Sequence, residues 1–161
     1  MRTLPYSREA AVVFAERWAL GRNPAYYNFD ELGGDCTNFI SQCLYAGCGV
    51  MNDTPQLGWY YYSLNSRAPA WTGVEFLHRF LTANKGAGPF AARVRLEQLQ
   101  PGDVIQLGAS DGSFYHSLLV LQGPPDRVFV AAHTDNALWR YLDSYSYHTL
   151  RCLHILGARS L

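Results

Sequence analysis

The apolar positions along the chain change period once. Between residue 8 and about residue 86 they recur at three- and four-residue steps; after Pro101 they run in short blocks broken by Gly, Pro and Asp. Residues 8–20 place Ala11, Phe14, Ala15 and Trp18 on one helical face, with Ser7 as the cap and Gly21 as the stop. Residues 36–46 repeat the pattern with Cys36, Phe39, Ile40, Cys43 and Leu44, and Gly47 is expected to end that helix. A third helix is expected from Thr72, which forms a capping box with Glu75, to near Gly86, turning Val74, Leu77, Phe80 and Leu81 inward. Beyond the turn at Gln100–Pro101–Gly102–Asp103, residues 104–107, 114–121, 128–133 and 150–156 read as strands. Short links between them predict an antiparallel sheet. Helices segregated before strands predict an α+β fold, one domain over residues 1–161.

Composition narrows the function classes. A chain of 161 residues that is 48% hydrophobic and only 16% charged can bury a real core. Thirteen basic residues balance thirteen acidic ones, which leaves no cationic surface for phosphates and excludes nucleic acid as an expected partner. No stretch reaches the roughly 20 apolar residues of a membrane span. Glu9, Glu16 and Arg17 interrupt the first twenty residues, so no signal peptide is read there. As written, the chain is expected to be cytoplasmic, or extracytoplasmic if it is a processed form, and monomeric. The four cysteines, at 36, 43, 48 and 152, form no CxxC pair, so neither a structural zinc nor any other cofactor is expected. With Cys36 kept free, the remaining three allow at most one disulfide.

Cys36 is the candidate nucleophile. The segment Gly33–Gly34–Asp35–Cys36 places it at a helix start, where unpaired N–H groups favour a thiolate and its own N–H can meet an oxyanion. The competing reading is a cysteine that only opens the buried stripe. Among five histidines, His116 and His133 are joined by a register argument. If Leu121 pairs with Val128, the antiparallel count sets His116 opposite His133, close enough for one imidazole to orient the other. A slip of two residues would bring Asp135 opposite His116 instead; a slip of one would turn one strand's side chains to the other face. Tyr26, Tyr27 and Asp35 are candidate oxyanion or substrate contacts, and Trp59 a candidate groove wall or core residue.

The strings GGDCTNFISQCLYAG, WYYY, LQPGDVIQL, FYHSLLVL and VAAHTD resemble the bacterial putative amidase domain family, from Tyr6 to about Leu156. That family is similar to the NlpC-type and CHAP cysteine peptidases, a papain-like group. The resemblance implies a papain-like fold with a helix-start cysteine packed on an antiparallel sheet. It implies Cys36 as nucleophile, His116 as base and His133 as the third polar residue. The expected reaction is hydrolysis of an amide through a thioester, without a cofactor, on a peptide or peptidoglycan-type substrate. Two alternatives stay open: an acyltransferase or deamidase on the same fold, or an inactive binding module.

Overall fold

The computed structural model describes residues 1–161. Four helices precede most of the sheet: α1 (Arg8–Trp18), α2 (Cys36–Cys48), α3 (Pro69–Thr72) and α4 (Val74–Ala83). Ser7 caps α1 as expected, its Oγ accepting from the Ala10 N–H at 3.1 Å. Gly47 does not stop α2. The helix runs one residue further and ends at Gly49, in the left-handed region with φ 69°. Gly47 is instead a point of contact: a Cβ there would lie 2.4 Å from the Tyr6 ring and 2.9 Å from the Ser7 carbonyl. The expected third helix is two. Gly73 separates α3 from α4 and no side chain caps α4. Thr72 Oγ1 accepts from Arg67 Nε, and the Glu75 carboxylate is held by Arg151, so the capping box has no free partners.

The main sheet is antiparallel at every pairing, in the order β1 (Arg2–Leu4), β9 (Thr149–Ser160), β5 (Val104–Gly108), β6 (Phe114–Gln122), β7 (Phe129–Ala132), β8 (Ala137–Tyr141). A seventh strand, β4 (Gly88–Val94), lies along the other edge of β9. A separate two-stranded ribbon joins β2 (Tyr61–Ser63) to β3 (Ser66–Arg67). The α+β expectation thus holds as a mixed architecture of helices on an antiparallel sheet. Strands β1, β4 and β8 went unread because each is short or apolar without a period-2 signature.

Alternation along the central strands divides the core in two. Leu119, Leu121 and Ala131 face the helices and pack with Ala15, Phe39, Ile40, Cys43 and Trp71. Leu118, Val120, Val130 and Ala132 face the other way, against Leu99, Ile105, Leu107 and Leu142. The start of α2 is therefore seated on the helical face of β6, close to the end of the strand where His116 sits.

No helix is long and apolar enough to cross a membrane.

Candidate active site

Glycines shape the approach to Cys36. Gly33 and Gly34 have φ of 88° and 100°, which L side chains rarely adopt, and they deliver Asp35 to the N-cap of α2. An aspartate there normally accepts from the first helical N–H groups. Asp35 does not. Its fully buried carboxylate accepts instead from the Phe29 N–H (2.8 Å), Asn38 Nδ2 (2.9 Å) and His133 Nδ1 (2.5 Å), with Arg22 Nε at 3.5 Å. The N–H groups of Cys36 and Thr37 consequently donate to no protein acceptor. An unfilled helix N-terminus carries partial positive charge and two donors beside the Cys36 sulfur.

Burial works to raise the Asp35 carboxyl, but the bonds from His133, Phe29 and Asn38 outweigh it and hold the group below its ordinary range. His133 donates through Nε2 to the Trp18 carbonyl at 2.7 Å and stacks on Phe39 with ring centroids 4.0 Å apart. Both of its ring nitrogens are thus engaged, one by the Asp35 carboxylate and one by the Trp18 carbonyl. The Asp35 carboxylate is thereby occupied within the fold and turned from the open N–H groups of α2.

The register between β6 and β7 corrects the sequence count. Leu119 pairs with Ala131 and Val120 with Val130, and a bulge then sets Gln122 opposite Phe129; the Leu121–Val128 pair does not form. His116 is displaced by one position from His133, and the two project to opposite faces of the sheet. With both its nitrogens engaged elsewhere, His133 is not a partner of His116.

His116 is buried on β6, opposite Leu107. It lines a cavity of about 250 Å³ together with Thr134, Asp135, Arg140 and Tyr145. Burial pushes its imidazole down to about 4, with Asp135 opposing that and Arg140 adding to it. The ring is neutral at pH 7 and makes no hydrogen bond to another side chain. Thr134 and Asp135 both have positive φ, 59° and 60°, a strained conformation for residues with a Cβ, severe for a β-branched threonine. That turn aims Thr134 Oγ1 at the Asp35 N–H, 3.1 Å away, and carries Asp135 into the His116 cavity.

Cys36 opens α2 and His116 lies near the start of β6. The residues immediately after them, Thr37 and Ser117, join the two elements through hydroxyls 3.0 Å apart. Cys36 is 8% exposed, and its sulfur has one hydrogen-bonding neighbour, Thr37 Oγ1 at 3.7 Å. All four cysteines are free thiols. Burial raises Cys43 well above the ordinary thiol range and Cys48 and Cys152 to about 11, which makes those three poor nucleophiles.

The remaining candidates separate. Trp59 is core, not a groove wall: it is fully buried, packs on Trp71 at 4.5 Å and donates to Ser41 Oγ. Asp35 is an acceptor with its oxygens occupied, so it is no oxyanion donor. Tyr26 packs on Tyr61 and Trp71, and burial pushes its phenol up to about 12. Tyr27 is half exposed, and its carbonyl accepts from Asn38 Nδ2, which pins this loop to the first turn of α2. Asn38, Thr134, Arg140 and Tyr145 were missed. Asn38 had a signal, being a polar residue one turn into a helix that is buried on nearly all sides. No group of three or more His, Cys, Asp or Glu side chains is placed to hold a metal.

Comparison with known proteins assigns the chain to a family. The family described as "Putative amidase domain" matches residues 5–156. The chain is 38% identical over 153 residues to the uncharacterized protein YhbB of Bacillus subtilis (strain 168), covering 91% of this chain and 48% of that protein. It is 27% identical over 141 residues to the uncharacterized protein YjcM of the same organism, covering 83% of this chain and 32% of that one. The chain thus spans about half or less of the length of these relatives. No solved structure matches. The chain belongs to the putative amidase domain family, whose name points to amidase-type hydrolysis.

Proposed function

We propose that the protein hydrolyses an amide bond through a thioester on Cys36, with His116 as general base and then general acid. The observation that carries this reading is the unfilled N-terminus of α2, where the N-cap carboxylate is turned away and held by His133 while two N–H groups stay open beside a thiol. Neutral His116 takes the thiol proton, and the sulfur attacks the carbonyl carbon. The oxyanion is met by the N–H groups of Cys36 and Thr37. Collapse breaks the C–N bond, and the His116 imidazolium gives its proton to the departing amine. Water, deprotonated by His116, then cleaves the thioester to a carboxylate and the free thiol. Asp135, the charge that raises His116 against burial, is the proposed orienter and imidazolium partner in place of His133.

A helix-start cysteine seated on an antiparallel sheet, with its histidine on a neighbouring strand, is also the arrangement expected of the papain-like NlpC-type and CHAP enzymes. This supports peptidoglycan stem peptides as the first substrate class to examine. Two readouts test the proposal. Iodoacetamide at pH 6 should label Cys36 faster than a free cysteine and leave Cys43, Cys48 and Cys152 untouched. Incubation with stem peptides should release new amino groups, and C36S should abolish that release. Ordinary reactivity of Cys36 would remove the nucleophile; a reactive Cys36 with acyl transfer to an added amine but none to water would make the protein a transferase.

A further inference from the structure

A line of buried polar side chains runs from α4 to the candidate nucleophile. Glu75 holds Arg151 of β9, with Nη2 to Oε2 at 2.9 Å. The Arg151 guanidinium lies 3.9 Å over the Phe114 ring and donates from Nε and Nη2 to Gln106 Oε1, at 2.9 and 2.6 Å. Gln106 Nε2 donates to the Val74 carbonyl at 3.0 Å and to Ser117 Oγ at 3.2 Å. Ser117 Oγ is 3.0 Å from Thr37 Oγ1, which is 3.7 Å from Cys36 Sγ. Gln106, Ser117, Thr37 and Arg151 are all buried.

The chemistry of the ends gives the line one direction. Arginine only donates, so the Gln106 atom facing it is the amide oxygen; a carbonyl only accepts, so the atom facing Val74 is the amide nitrogen. That N–H makes Ser117 an acceptor from Gln106. The single hydroxyl hydrogen of Ser117 then has Thr37 Oγ1 as its acceptor. Thr37 accepts it and has its own hydrogen left, with the Cys36 sulfur as the remaining acceptor within reach. We propose that this one-way relay presents the Thr37 hydroxyl as a hydrogen-bond donor to the Cys36 thiolate, with Ser117, Gln106 and Arg151 as positioning residues. A donor to an ionised acceptor is stronger than a neutral pair, and stronger again where water is excluded. The relay also ties the start of α2 to β6, and so fixes Cys36 relative to His116.

The inference rests on Cys36 being the reactive thiol, and its test keeps the two apart. Alkylation of Cys36 by iodoacetamide is followed against pH by peptide mass mapping in the unsubstituted protein and in T37V, T37S and Q106E. Unsubstituted Cys36 no more reactive than a free thiol at pH 6 would end the nucleophile reading and the relay together. With a reactive Cys36, T37V keeps the shape of the side chain and loses the hydroxyl. Its alkylation midpoint should rise by about one pH unit, about tenfold slower at pH 6, and T37S should restore the unsubstituted profile. Q106E replaces the amide donor by an acceptor, so Ser117 turns toward the new carboxylate and Thr37 turns toward Ser117. The same upward shift is expected with α2 untouched. Unmoved midpoints in folded T37V and Q106E, beside a reactive unsubstituted Cys36, would overturn the relay alone. If T37V does not fold by circular dichroism, Q106E decides.

Discussion

Replacing His133 by alanine tests the claim that this residue holds the buried Asp35 carboxylate. The substitution leaves the Asp35 carboxylate, 0% exposed, with the Phe29 N–H, Asn38 and a 3.5 Å approach from Arg22 as its only partners. It also leaves the Trp18 carbonyl with only the Gly21 N–H at 3.2 Å, and removes the ring stacked 4.0 Å from Phe39. Breaking a buried charge pair by removing one partner costs about 3–5 kcal/mol, against a total stability of about 5–15 kcal/mol for a domain of this kind. The urea midpoint should therefore fall by about a fifth or more at an unchanged m value. D35N keeps the side-chain shape and removes the charge, and in the double variant no buried charge is left alone. A double-mutant cycle should return a coupling of about 2 kcal/mol or more. The pH dependence has a defined sign. A carboxyl held below its ordinary value of 3.8 gives stability that is complete above that value and is lost as pH falls through the folded one. H133A should accordingly show a shallower loss of stability below about pH 3.8. A cost under about 1 kcal/mol, or strictly additive singles, would refute the pairing.

Three further outcomes follow from the geometry. His116, held down to about 4 by burial, stays unprotonated in the folded chain where the unfolded chain binds a proton near 6.5; stability should fall by about 3 kcal/mol as pH drops across that window, and H116Q should remove the fall, as followed by thermal melts. D135N should lower amide turnover about tenfold and move the acid limb of the rate profile downward, because Asp135 raises the His116 value; an unchanged profile would leave His116 without its orienter. G47A drives a Cβ to 2.4 Å from the Tyr6 ring and should destabilise by about 1–3 kcal/mol in chemical denaturation, with no effect expected on Cys36 alkylation.

Helices were legible where an apolar stripe coincided with a cap, as in α1 with Ser7. They were misread where a local signal had been taken over by a distant partner. Glu75 looks like the second half of a capping box until Arg151, 76 residues away, claims it. Gly47 looks like a stop until Tyr6 and Ser7 press against it inside the helix. The nucleophile candidate rested on local features, glycines and a helix start, and these stand in the structure. The His116–His133 pair rested on one register, and a bulge beyond Val120 undid it. A single-residue offset reverses a side chain's face, so no count along the sequence could have recovered His133 as the partner of Asp35. The polar line beneath Cys36 left a faint trace: Gln106 and Ser117 break the apolar alternation at inward positions of β5 and β6. Only the neighbouring strands and α4 show what satisfies them.

The central claim is that Cys36 carries the acyl group. Rapid-quench intact-mass measurement during turnover of an amide or stem-peptide substrate tests it most directly. The account predicts a transient adduct equal to the acyl portion, mapped to Cys36, which decays as product appears and is absent in C36S. Amide turnover with no adduct at Cys36, or turnover that survives in C36S, would contradict it.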